Sequence, residues 1–174
     1  MSEYVQAIVK SDTGGFRFTD VQRPVRRTES DILIRVSNIS LNRGELDFPW
    51  ESDKPAGWDA FGIVIETSTD GQGPKIGERV LTWSFSGAWS QYRVVDRANV
   101  AIVPESVSAA VAAALPVAGL TALRSLRSLH LQPGQSLAVT GATGGVGHLL
   151  VQLAMHTGIK VSAVVHSQCG FDWL

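Results

Sequence analysis

The chain has 174 residues, 44% of them hydrophobic and 18% charged, with a formal net charge of −1. That is the composition of a globular chain able to bury one good core or two small ones. Near-neutral charge excludes a strongly basic binder and argues against nucleic acid or an anionic membrane surface as principal partner. The single cysteine, Cys169, excludes an internal disulfide framework. Residues 1–18 lack a basic flank followed by an apolar core, so no secretory signal is read there. The longest apolar stretch, residues 107–117, is alanine-rich, interrupted by Ser108 and too short to span a bilayer. The expectation is a cytoplasmic protein without membrane or nucleic-acid partners.

In chain order, residues 4–9 and 16–21 read as strands joined by a turn at Gly14 and Gly15. Residues 32–37 alternate, with Ile32, Ile34 and Val36 on one face and Arg35 and Ser37 on the other, a half-buried strand. Residues 42–47 are polar and turn-like. Strand character returns at residues 60–67, 77–81, 88–95 and 100–103, with a strong breaker at residues 70–74. Many short strands separated by glycine turns predict a small antiparallel barrel or sandwich. After Pro104 the period changes. Ser106 or Ser108 caps a predicted helix over residues 109–114, and Pro116 is expected to break it. Leu120, Leu123, Leu126, Leu129 and His130 then fall on one helical face, with Arg124 and Arg127 away from it. The domain boundary is placed between residues 107 and 119, giving a β domain over 1–107 and a helical connector with a nucleotide unit over 108–174.

That unit starts with an apolar run at residues 136–140. It enters the loop Gly141, Ala142, Thr143, Gly144, Gly145, Val146, Gly147, continues as an apolar helical pattern, and closes with a second apolar run at residues 160–165. About thirty residues is the length of a βαβ unit. Gly141 or Ala142 allows the tight turn, Gly144 lets the backbone approach a pyrophosphate, and Gly147 lets the helix pack closely on its strand. The helix start directs free N–H groups and its positive dipole end at phosphates. A glycine-rich turn without a ligand is the alternative, but strand before and helix and strand after favour dinucleotide binding.

Six stretches together carry a resemblance: residues 41–46 (LNRGEL), 57–62 (GWDAFG), 76–80 (IGERV), 87–92 (GAWSQY), 115–122 (LPVAGLTA) and the glycine loop. In this order they resemble the medium-chain dehydrogenase/reductase superfamily, specifically its zinc-free, quinone-oxidoreductase-like (zeta-crystallin-like) branch. The resemblance implies a mixed α/β fold, an N-terminal GroES-like β-barrel domain followed by the first βαβ unit of a Rossmann domain, with an active site in the cleft between them. It implies hydride transfer from a nicotinamide cofactor to a quinone or α,β-unsaturated carbonyl. The chain ends shortly after the second Rossmann strand, at roughly half the family length, so it reads as an incomplete copy. The competing reading is a non-catalytic remnant or binding module that keeps the GroES-like domain.

Where zinc-dependent relatives place Cys and His, this sequence has Asn42 and Trp58, and no metal is expected. His148 and His156, about two helical turns apart, read as surface or packing residues. Without a metal, hydrogen-bond donors must polarise the substrate. Asn42 is the first candidate, against a simple turn-forming role. Thr121 matches a family position beside the nicotinamide, against a hydroxyl satisfied by its own helix. Quinone reductases of this branch often carry a tyrosine shortly after the Asn42 position, whereas Asp47 and Phe48 stand here. Trp50, Trp58 and Trp83 are candidates for an aromatic wall or for plain core.

At the end of the second strand, where NAD-selective domains place a carboxylate, the sequence reads Val165, His166, Ser167, Gln168. With no acid to repel a 2′-phosphate, and with His166 and Ser167 able to bond one, the expected cofactor is NADP(H). A sheet of two parallel strands leaves an edge and a face uncovered. Leu137, Val139, Val161 and Val164 are expected on that bare side, making residues 4–103 the more stable part and self-association the expected remedy.

Overall fold

The computed structural model describes residues 3–173. It divides into two compact units, 1–116 and 117–174, with the division inside a helix at Pro116.

The first unit is antiparallel β. Strands β1 (Tyr4–Lys10) and β2 (Phe16–Gln22) form a hairpin in full register from Tyr4 opposite Gln22 to Lys10 opposite Phe16. Five further strands, β3 (Asp31–Ile39), β4 (Asp59–Glu66), β5 (Arg79–Trp83), β6 (Tyr92–Asp96) and β7 (Val100–Ile102), form a sheet in the order β6-β3-β4-β5-β7. The hairpin is stitched to this sheet by Ile8 N–H to Trp89 O, Ala56 N–H to Ile8 O and Gln91 N–H to Gln6 O. The result is a curled half-barrel of the GroES-like kind, open rather than closed. Ile32, Ile34, Val64, Val80 and Val95 form its main core. Leu33, on the opposite face of β3 by alternation, is buried as well. The expected strand at residues 88–95 begins later, at Tyr92, because residues 88–90 bond to residues 55–57 and β1 instead of extending the sheet.

Residues 42–47 are not a plain turn. Arg43–Asp47 form a short helix, α1, with Asn42 as its N-cap. The Glu45 carboxylate reaches back to accept the Asn42 N–H at 2.5 Å, the reciprocal arm of a capping box.

Helix α2 (Ala109–Ser128) runs straight through Pro116. Ser108 caps it, its Oγ accepting the Val111 N–H. A mid-helix proline forfeits one main-chain bond and costs about 3 kcal/mol. Here burial on both sides of it offsets that cost: Ala112 and Ala113 pack with Phe61 and Val103 in the first unit, and Ala118, Ala122 and Leu126 are buried further along. The inward stripe is therefore Ala118, Ala122, Leu126, while Leu120 and Leu129 are exposed, which corrects the expected leucine face. His130 lies beyond the helix end with φ of 49°. Uninterrupted, the helix has 20 residues and contains an 18-residue window of mean hydropathy 1.6, long and apolar enough to cross a membrane by length and composition, unlike the shorter stretch expected from sequence.

The second unit holds β8 (Ser136–Thr140), α3 (Gly145–His156), β9 (Lys160–Val164) and α4 (Gln168–Trp173); Leu174 lies outside the described residues. β8 and β9 pair in parallel, Ser136 opposite Lys160 through Thr140 opposite Val164. Leu137, Val139 and Val161 pack beneath α3 with Leu150, Val151 and Ala154. This corrects the expectation that they line the bare side. By alternation the other face carries Ser136, Ala138, Thr140, Lys160, Ser162 and Val164, of which Val164 is half exposed.

Candidate functional site

In the first unit, a buried polar cluster surrounds Asn42. The Asn42 amide donates to Ser40 Oγ at 3.1 Å and to Asp59 Oδ2 at 3.2 Å. Ser40 Oγ itself donates to the same carboxylate oxygen at 3.0 Å. The carboxylate fixes the amide orientation, because only the NH2 side can face an acceptor of that kind. Glu45, fully buried, accepts with both oxygens, from Asn42 N–H and from Trp58 N–H at 2.7 Å. Burial pushes its carboxyl pKa up, against the lowering effect of those two N–H groups, and the nearby Asp59 adds to the rise.

The counter-charge is Arg93, only 1% exposed. Its guanidinium donates to Thr82 Oγ1 at 2.7 Å, Trp58 O at 2.8 Å, Ser86 O at 3.0 Å, Ser84 O at 3.3 Å and Thr82 O at 3.4 Å. Burial pushes its pKa down to about 10, with Asp59 and Glu45 opposing, so it remains a cation at neutral pH. One buried acid, Glu45, and one buried base, Arg93, thus fix the main-chain N–H and carbonyl of Trp58. The Trp58 ring lies over Gly44, where a Cβ would come within 3.0 Å of it. It meets Phe48 edge-on at 5.3 Å and Trp50 at 6.1 Å. Phe48, standing near the position of the missing tyrosine, is part of this ring cluster, whereas Trp83 pairs with Phe85 instead.

Sequence reasoning named Asn42 and Trp58 but missed Ser40, Glu45, Asp59 and Arg93. Two signals were available: the Asn42-x-x-Glu45 capping pattern, and an arginine at an inward position of β6, where Arg93 and Val95 alternate with Tyr92 and Val94. Among the described residues no group of three or more His, Cys, Asp or Glu is placed to hold a metal.

In the second unit, Gly141 takes φ of +61° at the end of β8, and Gly144 caps α3. Gly144 N–H bonds to Gly141 O at 2.9 Å, and His148 N–H to Gly144 O at 3.0 Å. A Cβ at Gly147 would sit 2.1 Å from Gly141 O, so the helix approaches its strand to a distance that only glycine permits. Ala142 is fully buried and its N–H bonds to Val164 O, tying the loop to β9. Thr143 is half-buried, and the N–H groups of Gly145, Val146 and Gly147 belong to the first turn of α3, which lacks intrahelical acceptors. A Cβ at Gly145 would meet open space.

Thr121 is exposed on α2, in the second unit. His166 and Ser167 are exposed after β9, and Ser167 Oγ accepts the Gly170 N–H at 3.3 Å at the start of α4. His148 Nδ1 lies 2.9 Å from Gly144 O on the exposed side of α3.

No protein-family model matches the chain. Over 146 residues it is 38% identical to a phenolphthiocerol-synthesis type I polyketide synthase of Mycobacterium marinum, a match covering 82% of this chain and 7% of that one. It is 32% identical over 147 residues to the 2-methylene-furan-3-one reductase of Solanum lycopersicum, covering 74% of this chain and 37% of the reductase. The quinone oxidoreductase of Coxiella burnetii superposes with a TM-score of 0.86 at 25% identity, covering 98% of this chain and 59% of that one. A mycobacterial protein solved in complex with NADPH superposes with a TM-score of 0.84 at 28% identity, covering 95% and 54%. The chain therefore spans less than two thirds of each of these relatives. The half-barrel and βαβ unit, together with these reductases, place the chain in the medium-chain dehydrogenase/reductase superfamily, to which it belongs.

Proposed function

We propose that this chain carries the substrate-side and phosphate-binding parts of a zinc-independent, NADP(H)-dependent reductase acting on small quinones or α,β-unsaturated carbonyls in the cytoplasm. The observation that carries this reading is the glycine loop. Gly141, Gly144 and Gly147 hold the α3 N-terminus so close to β8 that its first N–H groups form a cradle for a diphosphate, and the open space at Gly145 leaves room for one. These residues fit a dinucleotide. When bound, its nicotinamide supplies a hydride.

The chain's own residues do the rest. Gly144, Gly145, Val146 and Gly147 offer main-chain donors to the phosphates, with Ala142 and Thr143 shaping the turn. His166 and Ser167, free of a nearby carboxylate on β9, are placed to receive a 2′-phosphate and favour NADPH over NADH. The Thr121 hydroxyl is assigned to the nicotinamide carboxamide. Asn42 and Trp58 stand where zinc-dependent relatives hold metal ligands, and the buried charge cluster of Glu45, Asp59 and Arg93 serves in place of a metal as the rigid base of the site. The solved NADPH complex of a mycobacterial neighbour and the furanone reductase relative support the cofactor and substrate class.

The test is consumption of NADPH by the purified chain with cyclohex-2-enone in the presence of a chelator. The expected product is cyclohexanone, with no stoichiometric zinc in the protein. A tightly held zinc ion, or activity restored only by zinc, would contradict the reading. Absence of both turnover and NADPH affinity would favour the binding-module alternative.

A further inference from the structure

We infer that His148 is a positioning residue for the diphosphate site: its imidazole braces the Gly144 carbonyl and so holds the Gly145 N–H toward the ligand. This rests on the dinucleotide-binding reading above. Helical spacing alone marks His148 as a surface or packing residue, yet Nδ1 of its ring lies 2.9 Å from Gly144 O. A carbonyl oxygen can only accept, so the contact puts the ring proton on Nδ1. The same oxygen also accepts the His148 main-chain N–H at 3.0 Å. One residue thus directs two donors at a single carbonyl, that of the residue capping α3.

The consequence falls on the next residue. The Gly144 C=O and the Gly145 N–H belong to one planar trans peptide unit and point in opposite directions. Fixing the carbonyl along α3 therefore fixes the N–H outward from the helix start. Gly145 is exposed and a Cβ added there would meet open space, so a ligand can approach it. Two donors on one carbonyl also polarise the peptide group, which makes its N–H a stronger donor.

The loop needs such a brace. Gly144 and Gly145 are successive glycines, the backbone with the most freedom to lose. On the upstream side, Gly144 N–H is tied to Gly141 O at 2.9 Å. On the downstream side, the His148 ring adds a side-chain bond to the one that the helix itself provides. Holding the donors in place before the ligand arrives lowers the ordering cost of binding. Helix stability does not account for the contact. A side chain bonded back onto the preceding turn weakens a helix slightly, and alanine is the better helix former at that position.

The experiment is a titration of the 15N-labelled full chain with NADPH, in the parent, in His148→Ala and in His148→Asn. The Asn amide nitrogen stands as many bonds from Cα as Nδ1 does, so it keeps the donor without the ring. His148→Ala is expected to bind NADPH about three- to tenfold more weakly, with a melting temperature no lower than the parent's. His148→Asn is expected to recover most of the affinity. The Gly145 amide proton should move downfield saturably in the parent and by less in His148→Ala. Without ligand, the ring nitrogens of His148 should show the proton on Nδ1. Equal NADPH affinity in the parent and His148→Ala, a loss that His148→Asn does not recover, or a proton on Nε2 alone overturns the inference. A fall in melting temperature that accounts for the lost affinity overturns it too, because His148 would then only hold the helix. If the parent binds NADPH and His148→Ala binds it equally, only this inference falls. If the parent does not bind NADPH, the dinucleotide reading falls and takes this inference with it.

Discussion

At the scale of single residues, the molecule concentrates its unusual chemistry at Glu45 and Arg93, two buried charges that sequence patterns alone do not join. Glu45 occupies the last position of a capping pattern that can be read directly, since Asn followed three residues later by Glu marks a helix start. Its second partner, Trp58 N–H, and its counter-ion on β6 come from β-strand pairing across the sheet, which local periodicity does not encode. Each Glu45 oxygen accepts a different N–H. Glu45→Gln keeps one acceptor and turns an NH2 group on the other N–H donor, so urea denaturation should show a loss of about 1–3 kcal/mol. Unchanged stability would mean that the carboxylate is not needed there. The pH dependence has a definite sign. A carboxyl whose folded pKa is raised binds its proton more tightly folded than unfolded. Its contribution is fully present below the unfolded pKa and is lost as pH rises through the raised value. Asp31 acts oppositely: burial works to raise its pKa, but the Arg27 and Thr28 N–H groups win and hold it low. Its contribution is present above the unfolded pKa and lost on acidification. Asp31→Asn should therefore flatten the acid side of the stability profile and leave the Glu45 side intact.

At the scale of elements, strands were legible where apolar residues alternate, as in β3, and the glycine loop was legible because its spacing has one mechanical purpose. The α2 helix was misjudged in extent and in phase. Pro116 is a strong local stop, but the alanines on either side of it are buried, and packing overrides the local penalty. The leucine spacing pointed to one face, whereas the inward face is built of two alanines, Ala118 and Ala122, with Leu126 the one expected leucine on it, at four-residue steps. Pro116→Ala restores a main-chain donor in the helix interior. It should raise stability by about 2 kcal/mol, the helix penalty of about 3 kcal/mol less the entropy that proline removes from the unfolded chain. A lower melting temperature would show that the ring's own packing matters more than the lost bond.

At the scale of the whole molecule, the two units differ in how completely their sheets are closed. The first has five paired strands and a stitched hairpin. The second has two parallel strands covered by α3 on one face, with Lys160, Ser162 and Val164 on the other. Two paired strands are marginal by themselves, and an open edge invites another chain. Hydrogen exchange should therefore be slow in β3, β4 and β5 and faster in β8 and β9, with protection of β8 and β9 rising with protein concentration as chains associate. Uniformly slow exchange in a dilute monomer would show that the βαβ unit is stable alone. The central claim is that the loop at the start of α3 binds the diphosphate of NADPH, and direct titration of NADPH tests it most plainly. The account predicts saturable binding, tighter for NADPH than for NADH. It predicts at least about a tenfold loss, ~1.4 kcal/mol, in Gly144→Val, whose new side chain crowds both Gly141 O and the phosphate path. Equal NADPH affinity in the parent and in Gly144→Val would contradict the account.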